Sequence, residues 1–335
     1  MTTTAGETTP RPVRRARVRL GTFGPLIALV LLMILGAALN ENFLSIANLA
    51  NIVARASFIG IIAIGATFVI TSGGIDLSVG SMAAFIAGMM IIIINSAVPA
   101  LGVGWNVVIL GILCGLVIGA AGGALNGVLV TAGRIEPFIV TLGTLGIFRA
   151  LITFLANGGT LNLNFSASDT YSPLYSGTLL GVPVPIVIFA VVAIIAEVVM
   201  RRTPFGRHIA AIGSNEQVAR YSAIKVDRVR LMTYVLQGFL VGLSAVLYVP
   251  KFGSANSSTA VLWELQAIAA VIIGGTMLKG GSGRIWGTVI GVIILELIGN
   301  ILNLQSFISP YLNQAFQGAI IIIAVLLQRS RRTAN

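Results

Sequence analysis

The sequence predicts an all-α polytopic membrane protein of about ten transmembrane helices with both termini in the cytoplasm. Three observations predict it. Only 9% of the residues are charged and 56% are hydrophobic, where soluble domains carry roughly 25% charged residues. Ten stretches are apolar, most of them close to the ~20 residues that a helix needs to cross the hydrocarbon core. The basic residues gather on alternate connections between those stretches.

Taken in order, residues 1–20 carry Arg11, Arg14, Arg15, Arg17 and Arg19 without an apolar run, and read as a disordered basic cytoplasmic tail. The first span, Gly21–Leu39, is longer than the 7–15-residue apolar core of a secretory signal peptide, so it reads as a membrane helix. Ile52–Ile70, a short Val79–Ile94, Val107–Thr131 and Phe138–Ala156 follow, with Arg134 between the fourth and fifth. The longest external connection, Asn157–Pro183, is polar and rich in Asn, Ser, Gly and Pro. Val184–Met200 leads into the longest internal loop, 201–230, with seven basic residues. Leu231–Val249 precedes Leu265–Leu278, which is short enough for a re-entrant or broken helix. Ile285–Leu302 and Leu312–Leu327 complete a single transmembrane domain over 21–328, and 329–335 form a second basic tail.

With the N-terminus inside, eighteen of the 21 Lys and Arg lie on the cytoplasmic side, and only Arg55, Arg149 and Lys251 fall elsewhere. This is the asymmetry that bacterial topology follows. One span more or fewer would scatter the charges over both sides. The 39 glycines suit helices that approach closely in lipid.

The same sequence excludes several function classes. The net charge of +11 is explained by its placement beside a bilayer, so no nucleic-acid partner is expected. Cys114 and His208 are the only residues of their types, which leaves no disulfide and no Cys or His metal cluster. A P-loop needs Gly-Lys-[Ser/Thr]. Lys225, Lys251 and Lys279 follow Ile224, Pro250 and Leu278, so no Walker A is present and no cofactor is expected on this chain. No nucleophile–base constellation suggests an enzyme. Arg149 and Glu296 are the only charges well inside spans. They form either a relay in a solute path, or a structural pair or groups on a wet cavity. The structural reading, as a pair or as groups on a wet cavity, is favoured over the relay because a lone buried charge is costly and pairing relieves that cost.

Two motifs carry information. Gly73-Gly74-Ile75-Asp76-Leu77-Ser78-Val79-Gly80-Ser81 joins the second and third spans. The glycines end one helix through the left-handed conformation, and Asp76 and Ser78 can accept from the free amides of the next, as in a tight helical hairpin. The glycine pattern recurs loosely in Gly274-Gly275-Thr276, Gly280-Gly281 and Gly287-Thr288, a weak sign of duplication in which Gly73-Gly74 matches Gly280-Gly281. The second motif lies in the internal loop, from Gly213 to Ile224. Gly213 allows a bend, Ser214 or Asn215 can N-cap a short helix, and Glu216 suits its first turn. Val218, Tyr221 and Ile224 fall on one face by helical spacing. Such a helix can lie on the membrane or dock into a partner's groove.

Gly-Gly-Ile-Asp-Leu-Ser-Val-Gly at 73–80 resembles the signature of sugar permeases of the ribose/xylose/arabinose ABC importer family. Glu136–Gly143 is similar to the start of that family's mid-chain span. Gly213–Ile224, with Ala219 and Arg220, resembles its coupling segment, and Glu264–Ala270 with Gly274–Thr276 and Gly280–Gly283 resembles its C-terminal part. The likeness runs in order from about residue 40 to 328. The departures are Ala223, where the family usually has Gly before Ile, and Val218, where Ala is common.

The resemblance implies a permease of the bacterial inner membrane, paired with a second copy or a close homologue. It also implies two cytoplasmic ATPase subunits that hold ATP-Mg, and an extracytoplasmic sugar-binding protein. In that reading the Gly213–Ile224 helix is the lever through which ATP-driven closure moves the spans. Asn126, Thr141, Thr144, Asn300 and Asn303 are candidate lining residues, with interhelical hydrogen bonding the commoner role for such side chains. An ion-coupled carrier, or an ABC permease for branched-chain amino acids or nucleosides, is the alternative.

Overall fold

The computed structural model describes residues 24–304 together with 315, 318 and 319. The expected span Leu312–Leu327, apart from residues 315, 318 and 319, and both tails lie outside the described residues. Helices α1 (Gly24–Leu39), α2 (Ile46–Thr71), α3 (Val79–Leu101), α4 (Trp105–Thr131) and α5 (Pro137–Leu155) come first. A polar excursion follows: β1 (Thr160–Asn162), α6 (Phe165–Tyr171), α7 (Pro173–Ser176), β2 (Thr178–Leu179) and β3 (Val182–Pro183). Then come α8 (Val184–Arg202), α9 (Pro204–Ser214), α10 (Glu216–Tyr221), α11 (Val226–Phe252), β4 (Ser254–Asn256), α12 (Trp263–Ile273) and α13 (Ile285–Asn303). Seven of the described helices (α2–α5, α8, α11 and α13) are long and apolar enough to cross a membrane.

The central element is α2, whose residues from Ser57 to Thr71 are all buried. It starts six residues before the expected Ile52 because the Ser45 side chain accepts from the Asn48 amide at 3.3 Å and caps it. Phe58, Ile61, Ile64 and Phe68 pack with Phe189, Ala193 and Ala196 of α8. Lipid offers apolar side chains no less than a protein interior does, so close packing and polar contacts must hold these helices together. The α4–α11 seam shows the first. Gly115, Gly119, Gly123 and Gly127 recur every fourth residue on α4, and Cβ atoms there would strike Gly242, Gly238, Tyr234 and Leu231 or the Met90 side chain. The α2–α13 seam shows the second. Thr67 and Thr288 share a hydroxyl–hydroxyl bond of 2.7 Å, and Asn48 and Asn300 exchange two carboxamide bonds of 3.1 and 2.9 Å.

Several expectations are corrected. The 73–80 segment is not a tight hairpin. Residues 74–77 carry no regular secondary structure, Ser78 is already helical at φ −81°, ψ −12°, and the helices that α3 packs on most closely are α4, α5 and α11. Gly80 meets Ala260 and Glu264 at the start of α12, where no Cβ fits. The eighth span shrinks to α12, whose 11 residues reach about 16 Å, roughly half the hydrocarbon thickness. It stops at Ile273 because Gly275 turns left-handed at φ +89°. The amides of Gly275 and Thr276 then return to Ile272 and Val271, in the same Schellman pattern that returns Gly73 and Gly74 to Ile70 and Val69. The structural counterpart of Gly73-Gly74 is therefore Gly275-Thr276, not Gly280-Gly281.

Arg149 and Glu296 do not pair with each other. Arg149 Nη1 donates to the carbonyls of Ser257 and Thr259 at 2.6 and 2.7 Å, and Glu296 faces Arg55 at 3.7 Å. The reason is connectivity: Arg149 sits on α5 beside the β1–β4 ladder, whereas Glu296 lies on α13 against α2. Of the candidate lining residues, all but the exposed Asn303 are buried or half-buried. Asn126, Thr141 and Thr144 are buried, Asn300 is tied to Asn48, and Asn303 ends α13.

Candidate functional site: the α9–α10 loop and its seat

At the end of the bundle where α2, α4 and α8 finish and α11 begins, the chain forms α9 and α10. Asn215 lies between them, extended at φ −161°, ψ 107°. Its side chain accepts from the Val218 amide at 3.1 Å, so Asn215 and not Ser214 is the N-cap of α10. Ser214 closes α9, its hydroxyl donating to the Ala210 carbonyl at 2.8 Å.

Gly213 does not make the bend. It lies in the last turn of α9, where a Cβ would strike the Thr71 carbonyl and the Gly281 amide. That amide itself donates to Thr71 at 2.9 Å. A Cβ on left-handed Gly280 would lie 3.0 Å from both Gly213 Cα and the Gly73 amide. Three backbones thus touch through glycines: the end of α2, the 277–283 turn and the end of α9.

α10 has one packed side and one bare side. Ala219 is buried and clusters with Ile212 and Val226. Val218 and Tyr221, one turn apart, are 57% and 89% exposed. Ile224 does not join them. The helix stops at Tyr221, and Ile224 turns inward against the Ala219 cluster. The stop is a Schellman turn, with the amides of Ala223 and Ile224 returning to Arg220 and Ala219. Its left-handed position is Ala223 at φ +59°, a conformation that glycine adopts without steric cost.

Ion pairs fix α10 to α11. Glu216 Oε2 accepts from Arg230 Nη2 at 2.7 Å, and Oε1 accepts from Arg220 Nη2 at 2.9 Å. Arg220 also donates to both oxygens of Asp227, at 2.8 and 3.4 Å. The hydrogen bond from Arg230, then that from Arg220, holds the Glu216 carboxyl below the usual carboxylate range. Hydrogen bonds from Arg220 to Asp227 and Glu216 raise the guanidinium further. Sequence reading named Glu216 and Arg220 but missed Arg230 and Asp227. The sequence signal was present as acids and bases flanking one apolar turn, but only the α10–α11 bend brings them together.

The 73–80 segment is tied to the same helices. Asp76 is buried, and its Oδ1 accepts from the Ser78 amide and hydroxyl at 2.9 and 2.7 Å. The Ser78 hydroxyl thus serves Asp76 and does not cap α3, while it accepts from Asn126 of α4 at 2.9 Å. Tyr234 of α11 donates to the Ile75 carbonyl at 3.2 Å. α10 is thus joined to α11 by ion pairs, and α9 before it meets the end of α2 and the 277–283 turn through Gly213.

Comparison with known proteins gives consistent relatives. A family described as branched-chain amino acid transport system / permease component matches residues 48–325. The ribose import permease protein of Bacillus subtilis (strain 168) is 39% identical over 92% of this chain and 92% of its own length. The D-allose transport system permease protein of Escherichia coli (strain K12) is 34% identical over 92% of this chain and 91% of its own. Among solved structures, a metal-chelate type ABC transporter in an inward-facing conformation aligns with a TM-score of 0.52 at 12% identity, covering 91% of this chain and 98% of that one. At that identity the likeness speaks for the fold alone.

Proposed function

The chain belongs to the branched-chain amino acid transport system / permease component family, and from that premise we propose how it works. It is the membrane-spanning permease subunit of an ATP-binding-cassette importer, a multi-pass protein of the bacterial inner membrane. Its solute is a monosaccharide of the pentose or hexose class, in line with the ribose and allose permeases it resembles. Ten spans with cytoplasmic termini, and a pairing with a second permease, complete the reading. ATP-Mg is held and hydrolysed by two separate cytoplasmic subunits, and an extracytoplasmic binding protein delivers the sugar.

The observation that carries the mechanism is the bare face of α10. Val218 and Tyr221 stand exposed on a helix whose other side is locked to the bundle by Ala219, Glu216 and Arg220. An aromatic and an aliphatic side chain one turn apart suit a groove on a partner. The ATPase presses on that face, and the ion pairs and glycine contacts carry the movement into α11, α2 and the 74–78 segment.

The test is co-reconstitution of the permease with its ATPase and binding protein in liposomes, with labelled ribose outside. Uptake that requires ATP and all three components supports the reading. Concentrative uptake by the permease alone under an ion gradient would instead make it a secondary carrier. Uptake blocked by leucine or a nucleoside but not by sugars would reassign the solute.

A further inference from the structure

We propose that Asp76 carries a proton in the packed bundle and is a proton-dependent lock that holds the 73–80 segment against α4. The inference does not depend on which solute is carried, and its tests measure no transport.

Asp76 is 4% exposed, and its neighbours Ser78, Asn126 and Tyr234 are fully buried. Its Oδ1 is well supplied, by the amide and the hydroxyl of Ser78. Its Oδ2 has only the Asn126 carboxamide nitrogen, at 3.5 Å. That nitrogen makes its closer bond, 2.9 Å, to the Ser78 hydroxyl oxygen. The Asn126 Oδ1 atom is buried as well and finds no donor among the described residues. Two neighbouring acceptors are thus left almost bare, and the pocket is short of a hydrogen.

No positive charge answers the carboxyl. α11 presents Tyr234 and Arg230, but the Tyr234 hydroxyl is spent on the Ile75 carbonyl and Arg230 Nη2 on Glu216. α12 presents Glu264, an acid, beside Gly80. α3, α4 and the last turns of α2 bring no charged side chain. None of the ion pairs among the described residues involves Asp76. A carboxylate shut away from water without a cation is costly enough to take up a proton instead. Burial, the largest cause, pushes the Asp76 carboxyl above its ordinary range, against the lowering by hydrogen bonds from Ser78 and Asn126. A metal ion is the poorer answer. The Ser78 amide and the Asn126 nitrogen turn hydrogens toward the carboxyl, where an ion would need oxygens.

The proton makes the lock. Neutral Asp76 keeps its bonds to Ser78, and the Ser78 hydroxyl ties the segment to Asn126 of α4. When the segment leaves α4 and water reaches the carboxyl, the proton passes to solvent and the side chain ionises. The packed arrangement is therefore favoured at low pH. It loses that advantage as pH rises from the ordinary carboxylate range through the raised value.

The chain offers a direct test, because it has only three aspartates, Asp76, Asp169 and Asp227. Asp169 and Asp227 are exposed, and Arg220 holds Asp227 below the ordinary range. The full chain is made by cell-free synthesis with aspartate isotope-labelled at its side-chain carboxyl, then placed in liposomes for infrared spectroscopy in light and heavy water. At about pH 7, well above ordinary carboxylate titration, one labelled carboxylic-acid band is expected. It is expected to fade as pH is raised. No such band, or a band that ignores pH, overturns the lock. Asp76→Asn gives a second readout, since it keeps the shape and removes the titration. Between the ordinary and the raised value, the wild-type melting temperature is expected to fall with pH by about 2 °C per unit more than that of the variant. Equal slopes overturn the proposal. Where the variant does not fold, the labelled band in the wild-type chain decides.

Discussion

On α4, glycines at 115, 119, 123 and 127 face α11 or the α3 side chain of Met90, and at 119 and 123 the obstacle is backbone itself. On the next helix, Gly143 and Gly146 of α5 face open space. The same residue type serves opposite ends. In the α4–α11 seam it removes side chains so that two backbones touch and move as one body. On α5 it lies on an exposed face where a side chain would meet nothing. α11 in turn carries the ion pairs that hold α10, so the closely packed region connects to the α9–α10 loop.

The sharpest way to break this contrast is to fill both helices. Gly123→Leu must drive a side chain into the Tyr234 carbonyl. Overpacking of this kind costs about 1–3 kcal/mol or more. A large drop in membrane yield and in melting temperature in detergent is expected. Gly143→Ala on α5 should change the melting free energy by less than about 0.5 kcal/mol. Equal effects at the two sites would erase the distinction.

The next largest effect concerns the ion pairs. Arg230→Met leaves Glu216 held by Arg220 alone. Sugar imported per ATP is expected to fall about tenfold, measured with both rates in the same liposomes. The pH dependence has a definite sign. Glu216 has a depressed carboxyl, so its attachment is intact above the ordinary carboxylate range and is lost as pH falls through the depressed value. Coupling should therefore be flat from about pH 7.5 to about pH 5, the region above ordinary carboxylate titration.

A smaller effect, of the opposite sign, is expected at Ala223. Its left-handed conformation costs a non-glycine residue about 1 kcal/mol. Ala223→Gly should slow amide exchange at position 223 and at Ile224, whose bonds close the turn, by roughly fivefold. Faster exchange would mean that the turn is not limiting.

Much of the architecture was legible in the sequence, because apolar length and one-sided charge are strong signals in lipid. The starts of α3 and α13 at Val79 and Ile285, and the end of α4 at Thr131, match the expected positions. What was not legible depended on contacts between distant segments. The spacing of glycines matched 73–74 with 280–281, but hydrogen bonding aligns them with 275–276. Gly213 read as a bend, because a close approach to Thr71 and Gly281 leaves no trace in local sequence. Arg149 and Glu296, the two charges well inside spans, could be read as a pair, as a relay or as groups on a wet cavity, whereas each has its own neighbour. Ala223 was visible as a departure, but its left-handed backbone explains why Gly suits that place.

The central claim is that α10 transmits force while attached to α11. The most direct measurement replaces Glu216 and Arg220 together with Gln in the reconstituted complex, then records ATP hydrolysed and sugar imported. The account predicts continued hydrolysis with import reduced about tenfold or more, since α10 is then pressed without moving α11. Hydrolysis and import that both stay at wild-type rates would contradict it.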